Sequence, residues 1–339
     1  MDAQEDTLFQ NIKDLIALGG ADPESFDALL VAEIMRACLK MTKENYGTGQ
    51  LKLMSRAFKE MRYAYRIFNA YPGGRKISIF GSARTPTDHP DYTAAKEFGS
   101  LMAESGWVCM TGAADGIMKA GLEGAKQESS FGLAIRLPFE TASNSLLAGD
   151  PKLISFRYFF TRKLMFLTHS DAVAAFPGGV GTQDELFEVL TLMQTGKANI
   201  IPLVLVEGIG GHYWVDWHRY FQKQLLQNGW VCEEDEYFFY LAPSPEKAVE
   251  HILHFYRRYH SSRYVKENLV IRLLSSLTEE QVESLNQNFQ RLLEGGKVFM
   301  TPPLEGETDH LELPRIAFHH NRRHFGLLRA MIDAINSFS

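Results

Sequence analysis

The sequence predicts an α/β protein: a Rossmann-like, doubly wound parallel sheet with an N-terminal helical segment and a small C-terminal α/β appendage. Three observations carry that prediction. From Lys76 to about residue 260, short apolar runs alternate with amphipathic stretches. Parallel strands need crossovers of about a dozen residues or more, which helices of that length supply. Pro177-Gly178-Gly179-Val180-Gly181-Thr182 joins an apolar run to an amphipathic one, as a strand-to-helix turn does. Residues 1–72 instead hold apolar side chains at helical spacing.

The elements follow in order. Leu29, Leu30, Ile34, Met35, Cys38 and Leu39, then Leu53, Phe58, Met61, Tyr65 and Phe68, mark helices in 1–72. Asp22-Pro23-Glu24 reads as a capped helix start with proline at the first helical position. Tyr71-Pro72-Gly73-Gly74 ends the segment. It carries no evident chemistry and is expected to be a helical cap or an oligomerisation element. In the second region, 73–260, strands are expected at 76–80, 107–111, 131–136, 171–176 and 200–206. Helices are expected there at 94–105, 116–127, 184–194 and 214–226. The third region, 261–339, reads strand 269–273, helix 279–293, strands 297–300 and 313–318, and helix 323–338.

Composition narrows the class. The 339 residues are 45% hydrophobic and 22% charged, ordinary for a globular chain and unlike a disordered or collagen-like one. The net charge of −6 argues against a general nucleic-acid coat. Cys38, Cys109 and Cys232 are far apart and show no C-x-x-C spacing, so neither a zinc site nor a disulfide framework is expected. The acidic start, Met1-Asp2-Ala3-Gln4-Glu5-Asp6, lacks the basic region of a signal peptide. No apolar run approaches the ~20 residues of a membrane span. A cytoplasmic location is therefore expected.

The strongest motif is Pro177-Gly178-Gly179-Val180-Gly181-Thr182-Gln183-Asp184-Glu185. Glycines let backbone N–H groups approach an oxyanion, and a helix N-terminus adds about half a positive charge. In an open parallel sheet such a turn lies at the carboxyl ends of the strands, where ligands bind. Read from Gly179 as a dinucleotide fingerprint, the motif has Asp184 where the third glycine belongs, and no G-K-[ST] follows as in a Walker loop. The site therefore suits a mononucleotide or sugar phosphate, the bland alternative being a tight turn without a ligand. Glu185 falls one turn into the helix, about 6 Å from the phosphate at ~1.5 Å per residue, roughly the span of a ribose. Beside the helix N-terminus its carboxylate is expected to stay ionised, able to stabilise a positive sugar carbon or activate water. Asp184 and Glu188 compete for that role, and simple dipole compensation is the alternative. Upstream, Arg162 and Lys163 sit within Arg157-Tyr158-Phe159-Phe160-Thr161-Arg162-Lys163-Leu164-Met165-Phe166. Arg162 can only clamp or stabilise charge, the alternative being a snorkelling pair on a surface helix. Gly81-Ser82-Ala83-Arg84 and Thr111-Gly112-Ala113-Ala114-Asp115-Gly116 are two further strand-to-helix turns.

Together these pieces resemble the LONELY GUY (LOG) family of nucleoside 5′-monophosphate phosphoribohydrolases, whose members are often labelled lysine decarboxylases. Residues 177–185 match the family motif P-G-G-x-G-T-x-x-E throughout, and Arg162-Lys163 matches its upstream R-K pair. Leu137-Pro138-Phe139-Glu140, Asn144 and Phe156-Arg157-Tyr158-Phe159-Phe160 resemble the longer bacterial branch. The resemblance covers about residues 76–255. It implies cleavage of the N-glycosidic bond of AMP or a cytokinin nucleotide, giving base and ribose 5-phosphate. It implies Arg162 and Glu185 as the catalytic pair, and Gly178, Gly179, Gly181, Thr182 and Ser82 around the phosphate. Gly112, Lys163, Asp184 and Glu188 are further candidates to touch substrate. Neither a cofactor nor a metal is expected, and a homodimer or larger homo-oligomer is. A decarboxylase would need a lysine carrying a pyridoxal cofactor, for which the sequence gives no support.

The second turn departs from the family's glycine run. Ala113 at a position needing positive φ would be strained, and Asp115 would repel a phosphate unless it caps the helix. That departure motivates an alternative, a nucleotide-binding sensor with weak or no turnover. His319-His320-Asn321-Arg322-Arg323-His324 is the one basic cluster. It would suit a phosphorylated effector or nucleic acid, or simply a solvated helix start or subunit contact. A nucleic-acid partner and a membrane are not expected.

Overall fold

The computed structural model describes residues 3–136 and 145–338. Leu137–Glu140 and Asn144 lie outside the described residues. The chain divides into two units, Met1–Arg62 and Tyr63–Ser339.

In the first unit, helices α1 (Ala3–Leu18) and α2 (Phe26–Met41) close on Ile12, Ile16, Ala28 and Ala32. The start of α2 differs from expectation. Its cap is Ser25, whose hydroxyl accepts from the Ala28 N–H at 3.3 Å. Asp22 instead takes the Glu24 N–H in the preceding turn. Serine at the cap satisfies one orphan helix donor, and the Asp-Pro pair makes the turn ahead of it. Helix α3 (Thr48–Ala70) runs on into the second unit.

The second unit is built on a seven-stranded sheet. Its strands are β1 (Lys76–Phe80), β2 (Val108–Thr111), β3 (Ser130–Ile135), β4 (Leu153–Phe156), β5 (Ala172–Ala175), β6 (Leu203–Leu205) and β7 (Phe239–Leu241). The spatial order is β4-β3-β2-β1-β5-β6-β7, and every pairing is parallel. The chain goes outward from β1 in one direction, then restarts at β5 and goes outward in the other. The order therefore reverses between β1 and β5, the place where α/β sheets bind ligands. Helices α4 (Pro90–Glu104), α5 (Ile117–Ala125), α6 (Phe159–His169), α7 (Val180–Gln194), α8 (Tyr213–Tyr220) and α9 (Pro245–Phe255) accompany the sheet. A core cluster of Ile77, Ile79, Phe98, Met102, Ala172, Ala174, Phe176 and Val204 joins sheet to helices. Strands this thoroughly buried read as continuous apolar runs, which is why β1, β2, β3, β5 and β6 were legible. β4 and β7 are short edge strands, and the sequence pattern misses them.

The C-terminal part holds β8 (Tyr259–Val265), β9 (Asn268–Leu273), α10 (Glu279–Asn288), β10 (Leu293–Thr301), β11 (Arg315–His320) and α11 (Phe325–Ser337). Its strands form a separate antiparallel sheet in the order β10-β11-β9-β8. Strand β8, Y-H-S-S-R-Y-V, is polar and escapes a hydrophobic reading. Helix α11 is stitched to α9, to the start of β8 and to the segment ahead of β6. The buried Asn336 accepts the N–H groups of Arg258 and Tyr259, both at 2.9 Å, and donates to the Phe255 carbonyl at 2.5 Å. Arg329, 1% exposed, donates to the Ile201 carbonyl and to His251.

Candidate functional site

Three strand-to-helix turns meet at the order reversal, and Ser82 ties them. Its N–H donates to the Pro177 carbonyl after β5 at 3.1 Å, and its carbonyl accepts the Ile117 N–H at the start of α5 at 3.0 Å. Its hydroxyl accepts the Arg84 N–H at 3.0 Å. Ser82 thus braces the three turns first through its backbone.

The glycines of the β5–α7 turn are not equivalent. A side chain at Gly178 would run into the Thr182 hydroxyl and the Ser82 backbone. At Gly179 and Gly181 a Cβ would meet nothing within 4 Å, so those backbone faces are open. Helix α7 begins at Val180, earlier than expected, with Gly179 as its cap and no side-chain cap bond. The N–H groups of Thr182 and Gln183 turn back to the Gly179 carbonyl, each at 3.1 Å. No side chain fills the capping position at this helix start, where helix N–H groups can meet an anion.

Helix α6 supplies Arg162 and Lys163, and α7 supplies Asp184, Glu185 and Glu188. The adjacent cations do different things. Lys163 Nζ lies 2.8 Å from Asp184, 2.9 Å from Glu188 and 3.7 Å from Glu185, so it is the hub of an ion cluster rather than a snorkelling side chain. Burial pulls its pKa down, but bonding to Asp184 and Glu188 wins and holds it above the ordinary lysine value. Arg162 packs against Phe159 and Phe166, and a Cβ at Gly112 would lie 3.5 Å from its Nη1. Burial lowers its pKa, opposed by Glu185 and Asp184. Glu185 is buried, and burial raises its carboxyl pKa against the pull of Lys163 and Arg162. Desolvation outweighs the attraction of the two cations, so the carboxyl titrates above an ordinary glutamate, an upward shift that its place beside the helix N-terminus does not signal. Arg162 Nε and Glu185 Oε2 are both buried without a hydrogen-bond partner. Unsatisfied buried polar atoms cost free energy unless a ligand completes them.

The β2–α5 turn bears out the strain argument. Ala113 sits at φ 53°, in the left-handed region that costs a non-glycine residue about 1 kcal/mol or more. The Thr111 hydroxyl accepts its N–H at 3.0 Å, and its methyl packs with Leu122 and Leu147. Gly116 is required, since a Cβ there would strike the Ser82 carbonyl. Asp115 is exposed and does not cap α5.

Sequence reading misses the groups that hold the β5–α7 turn. Tyr213, at the start of α8, donates its hydroxyl to the Gly178 carbonyl at 2.6 Å. Gln183 Nε2 donates to that hydroxyl at 2.7 Å, and Trp217 Nε1 donates to Gln183 Oε1 at 3.0 Å. Tyr213 lies about thirty residues beyond the motif, and no local spacing signals it. Beyond Lys163 and Glu188 opens a cleft of about 1160 Å³, lined also by Tyr259 and Arg263 of β8 and Phe325 of α11. The basic run at 319–324 is partly consumed internally. His320 is buried against the Tyr264 hydroxyl, Arg322 covers the Tyr264 ring, and His324 bonds Glu234. Among the described residues, no group of three or more His, Cys, Asp or Glu is arranged to hold a metal ion, and no helix is long and apolar enough to cross a membrane.

Fold and site together define a Rossmann-like α/β protein with a glycine-rich strand-to-helix turn at the order reversal of its sheet. Residues 110–252 match the family model described as "Possible lysine decarboxylase", the model of the LOG family. A stretch of 136 residues is 29% identical to an uncharacterized protein of Archaeoglobus fulgidus, covering 40% of this chain and 85% of that one. The molybdenum cofactor binding protein of Rippkaea orientalis is 23% identical, with 53% of this chain and 96% of that one covered at a TM-score of 0.37. DNA processing protein A of Helicobacter pylori, a single-stranded DNA binder, is 14% identical, with 54% and 81% covered and a TM-score of 0.37.

Proposed function

We propose that this chain hydrolyses the N-glycosidic bond of a nucleoside 5′-monophosphate, AMP or a cytokinin riboside monophosphate, to free base and ribose 5-phosphate. One observation carries the reading: an open glycine-amide turn and a buried carboxylate with one oxygen that makes no hydrogen bond, Glu185, share one helix. Gly181 and Glu185 are four residues apart, about 6 Å along the axis at ~1.5 Å per residue. A phosphate on the turn therefore sets C1′ of the ribose at the level of Glu185. As the C1′–N bond breaks, its electron pair leaves with the base, and positive charge grows on C1′. Ionised Glu185 stabilises that charge and takes a proton from the water that bonds C1′, while the base takes up a proton. A raised pKa makes Glu185 a better base than an exposed carboxylate. Arg162 stays cationic at neutral pH and orients the substrate.

Lysine decarboxylation suits these residues poorly. A Schiff-base lysine needs a deprotonated amine, whereas the carboxylates around Lys163 hold it protonated. Exposed Phe159, Phe160 and Leu164 on α6 favour a homodimer or larger homo-oligomer. A specific observation favours a second reading, a nucleotide sensor with little turnover. Ala113 strains the second turn, and the cleft joins Lys163 and Glu188 to the C-terminal sheet.

The test is incubation with AMP, GMP, CMP, UMP and isopentenyladenosine monophosphate, with free base read by chromatography. Base and ribose 5-phosphate in equal amounts are expected from an adenine nucleotide. Thermal stabilisation by nucleotide without any product would replace the hydrolase with the sensor.

A further inference from the structure

We infer that Tyr213 is a positioning residue that sets the anion-binding orientation of the β5–α7 turn. The inference rests on the reading that this turn holds a phosphate. A trans peptide points its C=O and the following N–H in opposite directions. Two consecutive carbonyls of this turn are pinned. The Ser82 N–H holds the Pro177 carbonyl at 3.1 Å. The Tyr213 hydroxyl holds the Gly178 carbonyl at 2.6 Å. Pinning the Gly178 carbonyl toward α8 turns the Gly179 N–H away from α8. Nothing lies within 4 Å of the position a Gly179 Cβ would take, so an anion can come close to that amide.

The direction of the Tyr213 proton is itself determined. Trp217 Nε1 is a donor only, so the atom 3.0 Å from it is the Gln183 oxygen. The Gln183 amide then presents its NH₂ to the Tyr213 oxygen at 2.7 Å. With that oxygen accepting, the Tyr213 proton is free to go to the Gly178 carbonyl. Trp217 is buried, and the Tyr213 N–H is tied to Glu207 at 2.8 Å, so the chain of donors is anchored at its far end. Glycine at 178 and 179 makes this peptide easy to flip. Without Tyr213, the Gly178 carbonyl is free to rotate toward the anion and repel it.

The test uses the full chain and its Tyr213→Phe variant, with ribose 5-phosphate binding read by calorimetry. Losing one hydrogen bond that orients the turn predicts roughly tenfold weaker binding. KM for a nucleoside monophosphate rises in step while kcat holds, and any turnover of the unphosphorylated nucleoside is unchanged. Gln183→Leu removes the relay one bond further out and moves the same quantities less. It also keeps the inference testable if Tyr213→Phe does not fold. Undiminished ribose 5-phosphate binding by Tyr213→Phe overturns the inference, as does an equal loss of nucleotide and nucleoside turnover. A wild-type chain that binds ribose 5-phosphate but cleaves no nucleotide ends the hydrolase reading and leaves this one standing. A wild-type chain that binds no ribose 5-phosphate ends both.

Discussion

The turn after β5 and the turn after β2 lie at the same carboxyl edge of the sheet and are built by opposite means. The first keeps its backbone bare. Gly179 and Gly181 face open space, and side chains from α8 hold the loop from behind. The second puts an alanine into a left-handed conformation and compensates the strain by packing its methyl against Leu122 and Leu147. A turn that must meet a ligand through its amides needs glycine. A turn that does not offer its amides tolerates Ala113, provided the core receives the methyl.

Substitutions can break or sharpen that contrast. The largest effect is expected at Glu185, reached from the first turn. Glu185→Gln should lower kcat by about 10²–10⁴-fold while ribose 5-phosphate still binds, and nucleotide cleavage at the wild-type rate would remove Glu185 from the mechanism. Its pH dependence carries a sign. A carboxyl whose pKa is raised by folding adds stability below its unfolded pKa and loses it as pH rises through the folded pKa. Glu185→Gln should therefore melt higher than wild type near pH 7, with the gap closing toward pH 4.5, the ordinary value for glutamate. Wild-type activity should fall on the acid side, because the reactive form is the carboxylate.

Next come the glycines of the first turn. Gly178→Ala should destabilise by about 1–3 kcal/mol, because its methyl meets Thr182 and Ser82. Gly181→Ala should do the reverse, stabilising α7 by up to about 1 kcal/mol while weakening phosphate binding. Equal melting temperatures for the two variants would mean that the glycines are interchangeable after all. The smallest effect is expected in the second turn. Ala113→Gly relieves about 1 kcal/mol of backbone strain but gives up about 1 kcal/mol of methyl packing. Its melting temperature should stay within a few degrees of wild type. A large rise in turnover in that variant would favour the sensor reading.

Much of this was legible locally. The motif at 177–185, the pair Arg162-Lys163 and the buried strands of the parallel sheet all show in short windows, because glycine chemistry and apolar runs are local signals. The strain at Ala113 was legible too, since a left-handed turn position penalises any Cβ. The exact helix start at Val180 was harder, because glycines at a helix N-terminus look like loop. Tyr213 was invisible. Its partner Gly178 is brought to it only by the β5–β6 pairing and the packing of α8.

By itself the sequence determined the fold class, the glycine turn and the residue types that could do chemistry there. The tertiary structure alone decided their electrical state and company. It buried Glu185 so that desolvation outweighs the pull of Lys163 and Arg162, and gave Lys163 to Asp184 and Glu188. It also set a tyrosine behind the loop. Local conformation follows from neighbours a few residues away, whereas burial and long-range pairing depend on which distant surfaces the chain brings together.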